Sequence, residues 1–286
     1  MKLSFTKMHG LGNDFILIDC RNEEDKSWGK NLRDISRRLC HRRFGIGADQ
    51  LLLLYNSDIA DFRMRIFNAD GSEVEMCGNG IRCLAKYIWD RDLSEKNTIS
   101  VETSAGIITP EKSGDMVKVD MGEPILEGSL IPVKLPPHPP LSNGGQGGVI
   151  DFPLKILDKE FKITCVSMGN PHAVIVVDDV DGFDVKKYGP VIENYELFPN
   201  RINVEFVQVV DSGNIKMRVW ERGAGETMAC GTGASAVAVA ANLKGLAGKK
   251  VKIILLGGEL LIEWDNNNHV YMTGPAVEVF EGWISL

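Results

Sequence analysis

The sequence predicts an α+β fold of two pseudo-symmetric halves, each a mostly antiparallel, barrel-like sheet wrapped around a central helix. Three observations carry that prediction. The chain contains a long internal repeat, it consists largely of short β-type runs, and in each half the periodicity turns helical just after a cysteine.

The repeat is the firmest of the three. Residues 64–80 (MRIFNADGSEVEMCGNG) align without a gap on residues 217–233 (MRVWERGAGETMACGTG), with six of 17 positions identical. Ordinary residue usage would give about one. The offset of 153, within a few residues, also pairs Asn13 with Asn170, Gln50 with Asn203, Gly106 with Gly258 and Gly122 with Gly274. A period this long is not that of a solenoid; it reads as duplication of a whole domain. A chain of 286 residues suits two cores of about 150 residues each. We place the boundary near residues 122–128, giving a first half of 1–125 carrying Cys77 and a second of 126–276 carrying Cys230. The cleft between two such copies is the default site.

The strands follow from composition and punctuation. FILID (15–19), LLLLY (51–55), FRMRIF (62–67), TISVE (98–102) and MVKVDM (116–121) are rich in aliphatic and aromatic residues and bounded by Gly, Asn, Asp or Pro. AVIVVD (173–178), NVEFVQVV (203–210), IKMRVW (215–220), KIILL (252–256), ELLIEW (259–264) and VYMTG (270–274) do the same in the second half. After Cys77, residues Ile81, Leu84, Ala85 and Ile88 form an i, i+3, i+4, i+7 stripe. After Cys230, ASAVAVAANL (234–243) is apolar nearly all round, which marks a buried helix that Gly245 can end. LPPHPPLSNGGQGG (135–148) reads as a solvated loop.

Composition excludes several classes. With 44% apolar and 25% charged residues, the chain has ordinary globular usage. The net charge of −7, with basic residues scattered apart from Arg37, Arg38, Arg42 and Arg43, disfavours nucleic acid. MKLSFTKMHG lacks the apolar stretch of a signal peptide and no segment has the run of about 20 apolar residues of a membrane span, so a cytoplasmic protein is expected. In that compartment six cysteines imply thiols rather than a disulfide scaffold. They contain no C-x-x-C pair and the five histidines no H-x-x-x-H, so no metal is expected.

Cys20, Cys40, Cys83 and Cys165 read as small buried apolar residues. Cys77 and Cys230 do not, because they occupy matched positions in the two copies and each is followed by Gly-x-Gly at the start of a helix. The free N–H groups and positive dipole end there favour thiolate. One of the pair can then act as base while the other remains an acid. Gly78, Asn79, Gly231 and Thr232 would cradle a carboxylate with backbone donors, stabilising charge as an α-proton leaves. An α-carbon held there has one sulfur on each face, as inversion requires. No cofactor is then needed, and the sequence shows no lysine-centred motif for one.

At this point the motifs carry a resemblance. MHGLGNDF (8–15), GIGADQ (45–50), FNADGSEVEMCGNGIRC (67–83), GNPHAV (169–174), RINVEF (201–206) and ERGAGETMACGTGA (221–234) resemble those of the diaminopimelate epimerase family, in order and across nearly the whole chain. The resemblance implies a cofactor-independent isomerase that interconverts LL- and meso-diaminopimelate in lysine and peptidoglycan-precursor biosynthesis, commonly as a homodimer. It implies that Cys77 and Cys230 are acid and base, and that Asn13, Gln50, Asn68, Asn170, Asn203, Glu221 and Arg222 contact substrate with the backbone at Gly78, Asn79, Gly231 and Thr232. It implies that His172 and Glu221 tune the cysteines, and that the C-terminal VEVFEGWISL (277–286) returns to complete the first half and is apolar enough to support dimerisation. A bifunctional distal end on the substrate suits an array of Asn side chains and an Arg fork. Asn13, Asn68 and Asn170 also suit turns, His172 a core position, and Asp14, Asp49 and Glu73 caps or loop anchors.

Three other readings stay open. A two-cysteine racemase of proline, hydroxyproline or histidine would share the cysteines but not the polar distal site. A thiol redox protein would share the reactive cysteines without needing the Gly-rich cradles. A duplicated ligand-binding module would bind without exchanging an α-proton.

Overall fold

The structure, a computed structural model, describes residues 2–22, 31–134 and 148–285. The stretch 135–148 lies outside the described residues except for Gly148, which bridges Glu127. The chain divides into two compact units, Met1–Asp120 with Thr273–Leu286, and Met121–Met272.

The first unit contains β1 (Lys2–Gly10), β2 (Asn13–Asp19), α1 (Leu32–Cys40), β3 (Gln50–Tyr55), β4 (Phe62–Asn68), β5 (Glu73–Val74) and α2 (Gly78–Asp90). It continues through β6 (Val101–Thr103), β7 (Gly106–Ile108) and the hairpin of β8 (Glu111–Ser113) with β9 (Met116–Asp120). The second contains β10 (Phe152–Ile156), β11 (Lys159–Ser167), β12 (Pro171–Val176), α3 (Val185–Glu193), β13 (Asn203–Asp211), β14 (Asn214–Glu221), β15 (Gly225–Thr227) and α4 (Gly231–Leu243). It ends with β16 (Lys250–Leu255), β17 (Gly258–Trp264) and β18 (Val270–Gly274), after which β19 (Val277–Ser285) rejoins the first unit along β1.

The two sheets share a plan. The first runs β19-β1-β2-β3-β4-β6-β7 with β5 on β4, the second β10-β11-β12-β13-β14-β16-β17-β18 with β15 on β14. Most neighbours are antiparallel, but β2 with β3, β4 with β6, β12 with β13 and β14 with β16 are parallel. In each of those four cases one helix lies between the strands in the chain, as a crossover back to the same end of a sheet requires. The strand patterning could not show this, because alternation reports a strand's faces and not its direction.

The two cysteine helices are buried nearly all round. In α4 this follows from its apolar sequence; in α2 it takes Arg82, Cys83, Tyr87 and Trp89 below the surface along with the predicted stripe. Both end in a Schellman motif. Gly245 (φ +68°) donates to Asn242 O and Leu246 to Ala241 O; Asp92 (φ +53°) donates to Trp89 O and Leu93 to Ile88 O. Helices α1 and α3 were not predicted. Helix α3 contains Gly189 and Pro190, ordinarily helix breakers, and Gly189 is there for packing, since a Cβ would come within 2.6 Å of the Trp220 ring. Of TISVE, only Val101 and Glu102 join a strand, Thr98 making an isolated bridge to Glu111. No helix among the described residues is long and apolar enough to cross a membrane.

Candidate active site

In the first unit Cys77 is the N-cap of α2. Its backbone is extended (φ −140°, ψ 117°) and its Sγ accepts the Gly80 N–H at 3.4 Å, so sulfur fills the place a hydroxyl or carboxylate oxygen usually takes. A side chain at position 80 would be crowded: a Cβ would lie 3.2 Å from Leu52 Cδ2, 3.4 Å from Cys77 Cβ and 3.5 Å from Phe15 Cε1. Asn13 Oδ1 lies 3.8 Å from Cys77 Sγ and accepts from Asn79 Nδ2 at 3.2 Å, while its own amide donates to Asp49 Oδ2 at 2.9 Å.

Asn79 Oδ1 in turn accepts from Arg82 Nη2 at 2.8 Å. Arg82 is fully buried and also donates to Gly78 O at 3.2 Å and Pro275 O at 3.3 Å. Burial pulls its guanidinium below the ordinary range, and negative charge on Cys83 or Cys77 opposes that. A second pair sits on neighbouring strands, where Gln50 Nε2 donates to Asn68 Oδ1 at 2.8 Å and Asn68 Nδ2 to Ser72 Oγ at 2.9 Å. Gln50 Oε1 is buried and accepts nothing among the described residues. An acceptor left in that state suits a ligand N–H.

The second unit repeats the cap. Cys230 (φ −126°, ψ 112°) begins α4 and accepts the Gly233 N–H at 3.4 Å, with Thr232 Oγ1 3.5 Å from its sulfur. Asn170 Nδ2 donates to Thr232 Oγ1 at 3.2 Å, and His172 is held between Asn170 Oδ1 at 3.0 Å and Glu205 Oε1 at 2.7 Å. His172 and Glu205 are both completely buried. Glu221 accepts from Thr227 Oγ1; burial pushes its carboxyl up, against hydrogen bonds from Thr227 and Cys230.

Electrostatically Cys230 is not what its helix position alone predicts. Burial, and then the carboxylates of Glu221 and Glu205, push its thiol well above the ordinary range, while Thr232 and the Gly233 N–H only partly oppose this. Desolvation of a residue that is only 6% exposed outweighs the helix terminus.

The predicted residues therefore assemble in two sets. Cys77, Gly78, Asn79 and Asn13 form one network; in the other, Thr232 and Glu221 act on the Cys230 sulfur, and Asn170 and His172 join through Thr232. Asn203 and Arg222 are arranged differently: Asn203 donates to Pro171 O and accepts the Arg222 N–H, both at 2.9 Å, and the Arg222 guanidinium donates to Asn200 O at 3.0 Å. Asn203 is thus a strap between loops with one amide hydrogen still to offer. Glu205, Arg82 and Asp49 were not predicted as site residues. A comparison of the halves would have found Glu205, since the residue 153 positions earlier is Leu52. No group of three His, Cys, Asp or Glu among the described residues is placed to hold a metal ion.

Known proteins place this arrangement in context. A family profile described as diaminopimelate epimerase matches residues 5–127 and 164–279. Curated diaminopimelate epimerases are similar over nearly the full length: 54% identical in Acetivibrio thermocellus, covering 99% of each chain, and 52% in Moorella thermoacetica, covering 98% of each. One from Methanococcus maripaludis is 51% identical over 99% of this chain and 100% of its own. Among solved structures, a phenazine biosynthesis protein of the PhzF family from Bacillus anthracis aligns with a TM-score of 0.68 at 16% identity, covering 100% of both chains. A probable proline racemase from Agrobacterium radiobacter aligns at 0.67 and 15%, covering 99% of this chain and 93% of that one. At these identities the structures share the fold alone.

Proposed function

The chain belongs to the diaminopimelate epimerase family, and from that premise we propose that it interconverts LL- and meso-diaminopimelate with Cys77 and Cys230 as its two bases. The observation that carries this reading is the paired cap: each sulfur sits at a helix start and accepts a glycine N–H at 3.4 Å.

In the forward step one thiolate takes the α-hydrogen as a proton, and the electron pair left on carbon spreads into the carboxylate. N–H donors at Gly78, Asn79, Gly231 and Thr232 stabilise that charge. The other thiol gives its proton to the opposite face, so one S–H bond breaks as one C–H bond forms and the configuration inverts. The sulfurs finish with exchanged protonation states, and the reverse reaction uses the same groups in the other order. Only chain residues take part, and no cofactor enters.

Asn13, Gln50, Asn68, Asn170, Asn203, Glu221 and Arg222 would read the amino and carboxylate groups at the distal end, with His172 and Glu221 setting the cysteines' protonation. The amides suit this because they already fix one another's orientation, which lowers the entropy lost on binding. A homodimer is supported by β19, where Val277, Val279, Phe280 and Trp283 are exposed large apolar residues along one strand. A cytoplasmic location accords with free cysteines throughout.

The test is incubation of the protein, without added pyridoxal phosphate or metal, with LL-diaminopimelate in heavy water. The expected result is meso product with deuterium at the inverted centre, and loss of nearly all inversion in Cys77→Ala and in Cys230→Ala. Turnover of proline with none of LL-diaminopimelate, or a wild-type rate in either variant, would overturn the proposal.

A further inference from the structure

The duplicated floors beneath the two cysteine helices differ at one pair of positions. Under α2, the space below Gly80 is filled by Leu52 and Phe15. Under α4, the space below Gly233 is filled by Glu205, whose Oε1 would be 2.7 Å from a Cβ there, and Glu205 is bonded to His172. The positions correspond: Phe15 pairs with Gln50 in parallel register as His172 pairs with Asn203, and Leu52 and Glu205 lie two residues further along β3 and β13. The offset from Leu52 to Glu205 is 205 − 52 = 153, that of the repeat.

The fold therefore does not need a carboxylate at this place. One copy fills it with hydrocarbon, whereas the other buries an acid completely and leaves Glu205 Oε2 with no hydrogen-bond partner among the described residues. Such a group is costly to bury, and in a site it is a candidate for tuning a neighbour. We propose that Glu205 is a positioning residue which, from beneath the first turn of α4 and through His172, holds Cys230 as the thiol of the resting pair. The two symmetric cysteines then start from opposite protonation states in the resting protein.

Charge accounts for the direction. A carboxylate below Cys230 opposes formation of a second negative charge on that sulfur. The other titratable groups around it are Glu221 on β14, which acts in the same sense, His172 on β12, which is bonded to Glu205, and Cys165 on β11, buried and pushed up by burial and by Glu205. Helix α4 itself carries no charged residue. The Cys77 helix carries the buried Arg82, and that guanidinium and a Cys77 thiolate favour each other's charged form. Against these, the neutral Asn13 oxygen 3.8 Å from Cys77 weighs little, since full charges dominate in a dry site.

The inference rests on the proposed roles of the cysteines, but its test needs no turnover. The ligand-free protein is pulsed with iodoacetamide across pH 6–11, and the peptides holding Cys77 and Cys230 are quantified by mass spectrometry, each normalised to its own plateau so that only the midpoint is read. In the wild type the midpoint of Cys77 is expected below that of Cys230. In Glu205→Gln, the Cys230 midpoint is expected to fall by about one pH unit, about tenfold more thiolate below the midpoint, with Cys77 unmoved; Glu205→Asp should restore at least half of the change. A Cys230 midpoint unmoved in folded Glu205→Gln, or both midpoints moving together, would overturn the proposal. If that variant does not fold, the wild-type order decides, and Cys230 titrating below Cys77 refutes the assignment. Failure of the heavy-water exchange would instead count against the catalytic reading and leave these midpoints standing.

Discussion

Replacing Asp14 by Asn should destabilise the first unit in a way that disappears in acid. Asp14 lies in a cluster beside Asn13: its carboxylate accepts from Arg42 at 2.7 and 3.0 Å, from Lys7 Nζ at 2.6 Å and from the Asp49 N–H at 2.9 Å. Burial opposes its charge, but the hydrogen bonds from Arg42 and Lys7 and the charge of Lys7 outweigh this and hold its pKa at about 2, against an ordinary 3.8. At about 1.36 kcal/mol per pH unit this corresponds to about 2.4 kcal/mol. The side chain is 17% exposed and Arg42 58%, so solvent screening lowers the expectation to about 1–2 kcal/mol. Because the folded value lies below the unfolded one, the stabilisation is fully present above about pH 4 and is lost as pH falls through about 2, with roughly half remaining at pH 3. Urea unfolding of Asp14→Asn and wild type at pH 7, 5, 4 and 3 measures it. A difference that stays constant down to pH 3, or no difference at pH 7, would refute the assignment of Asp14 as a charged anchor.

Two further predictions concern the duplicated halves. Asp92 and Gly245 are corresponding left-handed residues after the two cysteine helices, so Asp92→Gly should stabilise by about 0.5–1 kcal/mol and Gly245→Ala, which meets no atom within 4 Å, should destabilise by about 1 kcal/mol, read as opposite shifts of the urea midpoint. Removing one member of the buried His172–Glu205 pair should cost about 3–5 kcal/mol, whereas the double variant His172→Phe with Glu205→Leu, which copies the other floor, should recover most of that; a double variant less stable than both singles would show that the floors are not interchangeable.

What was legible in the sequence was what repeats or alternates. The cysteine helices announced themselves through Cys-Gly-x-Gly and an apolar run, and β2, β3, β4, β12, β13 and β14 through their composition. Helix α1 is only nine residues, too short to stand out alone, and α3 contains Gly189 and Pro190, against which local propensity argues; packing on the sheets decided both. Strands β1 and β11 begin with lysine-containing alternations whose burial alternates in the same way, and β1 takes one of its partners, β19, from the far end of the chain. At the site, side-chain types were readable but not their partners. Asn203 looked like a substrate contact, yet most of its amide is committed to Pro171 and Arg222. Glu205 lies in a run read only as a strand, where nothing marks an acid that is 0% exposed.

Duplication by itself creates a difficulty for a two-base inversion. Two copies of one cysteine cap give two sulfurs with the same preference, and a pair of thiols or a pair of thiolates cannot pass a single proton in a defined direction. On the proposed mechanism the N–H groups at Gly78, Asn79, Gly231 and Thr232 serve the carboxylate, which leaves side chains around each cap to supply the asymmetry. The residues below Gly80 and Gly233 lie against the first turn of each helix and differ between the units, Leu52 and Phe15 in one and Glu205 in the other. A buried acid there acts over a short distance in a medium of low dielectric, where one charge outweighs a helix end. Stability alone would favour hydrocarbon in both floors, since an apolar replacement for a buried pair is often neutral or better. On the proposal that Glu205 tunes Cys230, the His172–Glu205 pair of the second unit has a reason beyond packing.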